Sequence, residues 1–237
     1  MKKSLWIGLA ALFALCLPLQ AQDKQADNKR SSQSENLQKT AENEPLFKDG
    51  KGYYSYKQPL SIPLPENKVL IQYFYEYGCE ICLNASDYLK NYAARHGDKV
   101  TLVESPSFKE SEFTSRMRAT FVEYGRPELG DKYFFDSAGK KDAKLLTKDN
   151  MAIQRWLNNN GVNIGRFHQL FESEQVKQRV QQDSKLYRTY SPPLYPIAVL
   201  NGKYILISNT LYNDDYTYAV LDFLVDKLQQ EKQEKTQ

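Results

Sequence analysis

Apolar and polar positions along this chain predict strands before and after a long helical block. Val69 to Tyr75 is nearly continuous in apolar and aromatic residues, which is typical of a central strand buried on both faces. From Ile81 to Ala93 the apolar residues recur at helical spacing, and Val100 to Val103 is the next strand. A strand, a helix and a strand in this order predict a parallel pair joined by a right-handed crossover.

The segment from residue 108 to residue 188 carries few strand signals and is predicted to be a helical subdomain inserted into an α/β fold. Proline, glycine and asparagine separate its amphipathic stretches, and Thr147 is predicted as the N-cap of one helix. The predicted helices cover residues 111–124, 128–135, 147–158, 164–171 and 173–187.

A hairpin and a last helix follow the helical block. Ile197 to Leu200 and Lys203 to Ile207 are predicted strands, and Asn201-Gly202 between them is the strongest short hairpin signal. Residues 216–229 have the pattern of an amphipathic terminal helix. These two strands are therefore predicted to return the chain to the sheet after the helical block.

Two local signals complete the predicted secondary structure. Residues 53–62 resemble a short edge strand that is broken by Pro59, since proline cannot donate to a strand ladder. The run His96-Gly97-Asp98 is predicted to end the helix that begins at Cys79, with Gly97 suited to a left-handed C-cap and His96 expected as a helix-end cap.

The first residues, Met1 to Ala21, have the features of a secretory signal peptide. Two lysines precede an apolar run from Leu5 to Leu19, and a small-residue cleavage site ends at Ala21. The run is short for a membrane span, so an uncleaved anchor is the alternative. A lipoprotein attached through Cys16 is disfavoured because Leu15 stands where a small residue is needed. We expect an exported protein.

The domain organisation follows from composition. Residues 22–46 are rich in polar residues and cannot bury enough surface to offset their ordering entropy, so they are predicted to be a disordered linker. Residues 47–229 form one domain that contains the helical insertion, and residues 230–237 are predicted to be a frayed tail.

The net charge gives no sign of a polyanionic partner. The full chain has 32 basic and 29 acidic residues. Loss of Lys2 and Lys3 with the signal peptide leaves 30 basic residues against 29 acidic ones, a net charge of +1. A balance this close to neutral does not predict nucleic acid or an anionic membrane surface as the main partner.

Cysteine usage points to chemistry more than to scaffolding. Of the three cysteines, Cys16 leaves with the signal peptide, so the mature protein keeps only Cys79 and Cys82. An exported protein with one close pair has no disulfide framework, and its fold must depend on an ordinary core. If a helix begins at Cys79, the helix dipole and the free N–H groups favour a thiolate there.

Three other interpretations of the pair are weaker. A zinc site needs two more ligands, and the two histidines, His96 and His168, stand singly and far apart, so no metal is expected. Haem attachment needs histidine directly after the second cysteine, where Leu83 stands. A purely structural disulfide between Cys79 and Cys82 remains open.

Pro196 is the second notable feature. It follows a proline-rich loop and leads directly into the predicted strand that starts at Ile197. A proline at this position cannot donate to the ladder and is often part of a cis turn, although a rigid trans loop is the alternative.

The combination of these features resembles the DsbA-type thiol–disulfide oxidoreductases of the bacterial periplasm. It includes a signal peptide, a parallel strand that ends in Cys-x-x-Cys at a helix start, a helical insert, and a proline before a hairpin. The resemblance covers residues 47–228 and implies a thioredoxin fold and a periplasmic location. It further implies that Cys79 is the nucleophile and Cys82 the resolving thiol. By the same resemblance, Pro196 is a cis proline beside the disulfide, and the Tyr195 backbone pairs with substrate.

The chain departs from the family pattern around the pair. Glu80-Ile81 replaces the usual Pro-His, Gln72 and Tyr73 stand where family members often carry a buried acid, and Gly78 replaces a bulky residue. Because Glu80 places a negative charge beside Cys79, it opposes ionisation of the thiol. We therefore predict that Glu80 and Ile81 tune Cys79 toward a less acidic thiol and a less oxidising disulfide.

These features predict an exported thiol–disulfide oxidoreductase that forms, reduces or rearranges disulfides in unfolded or partly folded exported proteins. No cofactor beyond the Cys79–Cys82 pair is expected, and an apolar groove near Tyr77, Tyr195 and Pro196 is predicted to hold the substrate. The resemblance implies a membrane redox partner of DsbB type, and the chain is expected to be a monomer. The alternative is a non-catalytic thioredoxin-like binding module whose disulfide is structural.

Overall fold

The computed structural model describes residues 45–139 and 143–234. From Phe47 onward the described residues belong to one compact unit. The predicted signal peptide, Cys16, the predicted linker up to residue 44 and the last three residues lie outside the described ranges. Within the described residues no helix is long and apolar enough to cross a membrane.

One six-stranded sheet forms the centre of the molecule, with strand order β1-β2-β6-β5-β3-β4. The pair β3–β4 is parallel, as predicted, and β5 lies antiparallel to β3 on the other side. The strands are β1 (Lys48–Asp49), β2 (Gly52–Ser55), β3 (Val69–Tyr75), β4 (Val100–Pro106), β5 (Ile197–Leu200) and β6 (Tyr204–Ile207).

Seven α-helices are described, and five of them lie between β4 and β5. This confirms the predicted α/β class with an inserted helical subdomain. The α-helices are α1 (Glu80–Arg95), α2 (Phe113–Tyr124), α3 (Glu128–Ala138), α4 (Asn150–Asn159), α5 (Ile164–Phe171), α6 (Glu174–Tyr190) and α7 (Asp214–Glu234), and a 3-10 helix (Ala143–Thr147) precedes α4.

The central strand β3 has the predicted bounds, and six of its seven residues are buried. It lies between β5 and β4, so both of its backbone edges are paired and its aromatic side chains pack on both faces of the sheet. Tyr73 and Phe74 point to opposite faces and are both fully buried. The continuous apolar run is explained by this position.

The predicted strand over residues 53–62 is shorter than expected. Only Gly52–Ser55 pairs as a strand, with β1 outside it. Beyond Ser55 the chain follows the β5–β6 hairpin through isolated hydrogen bonds, from the Tyr56 N–H to the Lys203 carbonyl (3.0 Å) and from the Leu60 N–H to the Gly202 carbonyl (2.9 Å). Pro59 interrupts any regular ladder there.

Two predicted helix caps are wrong, whereas the predicted helix-end cap at His96 is confirmed. Gly97 does not adopt a positive φ. Helix α1 ends at the C-cap His96, whose N–H bonds the Tyr92 carbonyl and whose ring stacks on Tyr92 with centroids 4.4 Å apart. Thr147 belongs to the 3-10 helix, and the N-cap of α4 is Asp149, whose carboxylate accepts from the Ala152 N–H. Both errors come from equivalent cap signals that stand close together in the sequence.

The predicted hairpin is confirmed. Asn201 and Gly202 have φ values of 47° and 64°, the pair of positive values that a type I′ turn requires. The Asn201 side chain also accepts a hydrogen bond from the Leu70 N–H (2.8 Å), which connects the turn to the start of β3. The terminal helix α7 extends past its predicted end to Glu234.

Candidate functional site: a disulfide at a helix N-terminus

The short turn after β3 delivers the cysteine pair to the start of α1. Gly78 in this turn has a φ of +79°, and a Cβ added to it would lie 2.8 Å from Thr147 Cγ2. Glycine is therefore needed for both its backbone conformation and its size. This explains in physical terms why the bulky residue expected from the family pattern is absent at position 78.

Side chains of the helical insert anchor the same turn. The Tyr77 N–H donates to Thr114 Oγ1 (3.1 Å), and the Gly78 N–H donates to Ser137 Oγ (3.1 Å). Both hydroxyls are buried and lie on α2 and α3. Sequence reasoning missed these two residues because nothing in their local pattern distinguishes them from ordinary helix positions.

Cys79 and Cys82 are joined by a disulfide, and Cys79 is the N-cap of α1. Its backbone is extended, and its Sγ accepts a hydrogen bond from the Cys82 N–H at 3.2 Å. Its carbonyl accepts from the Cys82 and Leu83 N–H groups, each at 3.1 Å. The sulfur of Cys79 therefore lies at the end of the helix where negative charge is stabilised.

The two sulfurs differ in exposure. Cys82 is fully buried in the core, whereas Cys79 is only partly buried and packs at the edge of that core. Between them Glu80 is exposed in the first turn of α1, and Ile81 has 55% of its surface exposed. Cys79 is thus the more exposed cysteine of the pair, and the exposed dipeptide follows it in the chain.

Tyr73 lies directly beneath the pair. Its hydroxyl donates to the Cys82 carbonyl (2.7 Å), and burial raises its pKa well above the ordinary value of a tyrosine. The neighbouring Gln72 is also buried, and its amide donates to Ser105 Oγ (2.9 Å). In this part of the buried strand the chain therefore has two neutral, hydrogen-bonded side chains.

The Tyr195–Pro196 peptide bond is cis, so the alternative of a rigid trans loop is wrong. Phe74 pairs with Ile197 in the antiparallel β3–β5 ladder. By continuation of this register, Pro196 and Tyr195 lie alongside the last residues of β3, which lead to Cys79. Pro196 is buried and Tyr195 is half-buried.

Tyr77 does not line an exposed groove. It is 5% exposed, and its hydroxyl donates to the Gly130 carbonyl (3.1 Å) within the helical insert. The predicted groove residue therefore belongs to the core that connects the turn to α3. Its ring packs against Tyr133 and Phe134, with centroids 5.1 and 6.0 Å away.

Glu76 is a third residue that the sequence analysis missed. It is the first residue after β3, and it is buried beside the loop that carries the cis bond. A charged residue at the end of an otherwise apolar strand, three positions before Cys79, is a signal that could have identified it. In residues 45–139 and 143–234, no group of three or more His, Cys, Asp or Glu side chains is arranged to hold a metal ion.

Comparison with known proteins connects this arrangement to a family. No family model matches the chain. An uncharacterized protein of Haemophilus influenzae is 36% identical over 190 residues, which cover 79% of this chain and 80% of that protein. The thiol:disulfide interchange protein DsbA of Burkholderia cepacia is 26% identical over 185 residues, which cover 77% of this chain and 86% of that protein.

The solved structures show the same fold. The crystal structure of Pseudomonas aeruginosa DsbA superposes with a TM-score of 0.63 at 22% identity, and the match covers 79% of this chain and 97% of that one. The oxidoreductase NmDsbA1 from Neisseria meningitidis has a TM-score of 0.60 at 20% identity, covering 80% and 98%. The predicted thioredoxin fold with a helical insertion is confirmed.

Proposed function

Because this chain belongs to the DsbA-type family of thiol–disulfide oxidoreductases, we propose that it exchanges disulfides with other exported proteins through Cys79 and Cys82. One observation carries the proposal: the disulfide lies at a helix N-terminus, with Cys79 partly exposed and Cys82 fully buried. A purely structural cross-link has no need of this asymmetry. An exchange site needs one sulfur that a substrate can reach and one that it cannot.

The exchange proceeds in two steps that balance. A substrate thiolate attacks Cys79 Sγ, which breaks the Cys79–Cys82 bond, forms a mixed disulfide and releases Cys82 as a thiolate. A second substrate thiolate then attacks the substrate sulfur of the mixed disulfide and releases Cys79. The substrate loses two electrons and gains a disulfide, and the protein is left as a dithiol. In the reverse direction the Cys79 thiolate attacks a substrate disulfide, and Cys82 resolves the intermediate.

The helix start supplies stabilisation for the leaving Cys79 thiolate. Its sulfur already accepts the Cys82 N–H, and the partial positive charge of the α1 N-terminus favours the anion. Glu80 acts in the opposite sense, since its carboxylate is in the same first turn. The balance between these two influences sets whether the pair favours oxidation or reduction of substrates.

The cis loop is the proposed docking edge for substrate. The Tyr195 backbone would pair with an extended stretch of an unfolded or partly folded protein, and buried Pro196 would set the distance of that stretch from Cys79. Exposed Ile81, within the disulfide ring, offers an apolar contact to the same stretch. The proposed location is the periplasm, and a membrane redox partner of DsbB type would reoxidise the pair.

The first test is the reduction potential of the Cys79–Cys82 pair, measured by equilibration with glutathione. A value of about −120 mV, as for DsbA, marks an oxidant, and one of about −270 mV, as for thioredoxin, marks a reductant. In parallel, a Cys82→Ser variant expressed with its export signal should accumulate mixed disulfides through Cys79. No trapped partner, together with no reduction of insulin by the wild-type protein, would reject the proposal in favour of a structural disulfide in a binding module.

A further inference from the structure

A buried carboxylate lies next to the cis loop. Glu76 directly follows β3 and is 8% exposed. Since Phe74 pairs with Ile197 in an antiparallel ladder, the residues that follow Phe74 run alongside those that precede Ile197. This register places Glu76 beside Tyr195. Glu76 itself lies in the short segment that connects β3 to Cys79.

The Glu110 N–H donates to Glu76 Oε1 (3.3 Å), and the nearby hydroxyls of Ser107 and Tyr195 stabilise the charged form of the carboxylate. Burial raises the pKa of Glu76, and these hydrogen bonds lower it in part. Burial and the Glu76 carboxylate together raise the pKa of Tyr195 to about 12, so its hydroxyl remains a donor at neutral pH.

Two other contacts hold the first half of the same loop. Lys109 Nζ donates to the Pro193 carbonyl (3.1 Å), and the Tyr187 hydroxyl donates to the Pro192 carbonyl (3.4 Å). These contacts end before Tyr195. The Glu76 carboxylate, in contrast, interacts with Tyr195, the residue on which substrate docking would depend.

We propose that Glu76 is a positioning residue for substrate docking: its carboxylate fixes the Tyr195 side chain against the turn at Ser107–Glu110, and so holds the backbone edge at the cis bond. This inference depends on the proposed exchange function and names a residue that acts on it. Glu76 acts through Tyr195. An ordered docking edge costs a binding peptide less conformational entropy than a mobile one.

The experiment compares a peptide substrate with a small one. Glu76→Gln removes the charge, and Tyr195→Phe removes the donor. Each variant is expected to raise the KM for a cysteine-containing peptide about tenfold, the equivalent of one charge-assisted hydrogen bond, and to leave kcat within about twofold. For Glu76→Gln, the rate with dithiothreitol, which is too small to need the docking edge, should be unchanged.

The double variant and a matched control sharpen the result. Glu76→Gln combined with Tyr195→Phe should raise KM no further than either change alone, because both remove one contact. Glu110→Gln removes a neighbouring exposed charge but keeps the backbone N–H that bonds Glu76, so its KM should equal that of the wild type. Thermal unfolding of each variant confirms that it is folded.

A pH profile provides an independent measure. As the pH falls through the raised pKa of Glu76, the wild-type peptide KM should rise, because the protonated carboxyl loses its charge-assisted bond. The ratio to the dithiothreitol rate removes the effect of substrate thiol ionisation. The other titratable groups facing this pair are Glu110 and Tyr187. The Glu110→Gln variant should keep the rise, and Glu76→Gln should lose it.

Several outcomes would overturn the inference. These are an unchanged peptide KM in both folded single variants, additive effects in the double variant, or an equal loss of rate with peptide and with dithiothreitol. If the wild-type protein reacts with neither substrate, the proposed exchange function itself fails, which is a different result.

Discussion

The two sides of the disulfide ring formed by residues 79–82 are built differently. On the inner side Cys82 is fully buried, and its carbonyl is bonded by the Tyr73 hydroxyl. On the outer side Cys79 is partly exposed, and the dipeptide Glu80-Ile81 is open to solvent. The Cys-x-x-Cys spacing does not distinguish the two cysteines. In the proposed exchange, the difference in burial therefore selects Cys79 as the one that is attacked.

The largest expected effect tests this asymmetry directly. In the reduced protein, iodoacetamide should modify Cys79 faster than Cys82 by roughly a hundredfold, because only an exposed thiolate at a helix start is both accessible and activated. Mass spectrometry of digested samples taken over time gives both rates. Equal rates would mean that Cys82 becomes accessible when the disulfide is reduced. This would contradict the proposed asymmetry between the two cysteines.

The next effect concerns the turn that places Cys79. Gly78→Ala should destabilise the oxidised protein by about 3 kcal/mol, because alanine adds both left-handed backbone strain and a clash with Thr147 Cγ2. Urea unfolding measures the change. Gly125→Ala is the matched control, since Gly125 has a φ of +84° with open space around its Cβ position. It should cost only the strain, about 1 kcal/mol.

The clash can be relieved separately. Thr147→Ser removes the methyl group that a Cβ at position 78 would meet, so it should recover part of the stability lost in Gly78→Ala. No recovery would show that strain alone, and not the close approach of the 3-10 helix, keeps glycine before Cys79.

A smaller effect is expected on the inner side. Tyr73→Phe removes the hydrogen bond to the Cys82 carbonyl and should lower the free energy of unfolding by about 1–2 kcal/mol. It should also speed alkylation of Cys82. Tyr56→Phe is the control, because its hydroxyl bonds the Tyr190 carbonyl, and we expect it to leave alkylation of Cys82 unchanged. Equal rates of Cys82 alkylation in the two variants would show that the Tyr73 hydroxyl does not protect Cys82.

The smallest effect is on the outer side. Glu80→Gln should lower the pKa of the Cys79 thiol. The reduction potential should rise by about 30 mV for each unit by which this pKa falls. Stability should fall by at most about 1 kcal/mol, as an acid is lost from the first turn of an exposed helix start. Glutathione equilibration measures the potential. Asp87→Asn, exposed further along α1, should not shift it.

Much of the fold was predictable because its signals are local. The apolar run of β3, the helical spacing of α1 and the Asn201-Gly202 turn each depend on neighbouring residues, and all three are confirmed. The helix-end cap at His96 is confirmed, but the left-handed cap at Gly97 and the N-cap at Thr147 are wrong. His96 stacks on Tyr92, and Asp149 rather than Thr147 accepts the free N–H of Ala152.

The amino-acid sequence alone identifies the cysteine pair, the helix that follows it and the proline that precedes β5. These features depend on spacing and periodicity, which are properties of short segments. Only the tertiary structure decided which sulfur is buried, that Thr114 and Ser137 anchor the turn, and that Glu76 reaches Tyr195. The partners in these contacts are separated by long stretches of chain. Their meeting depends on how the insert and the sheet edge pack around the turn.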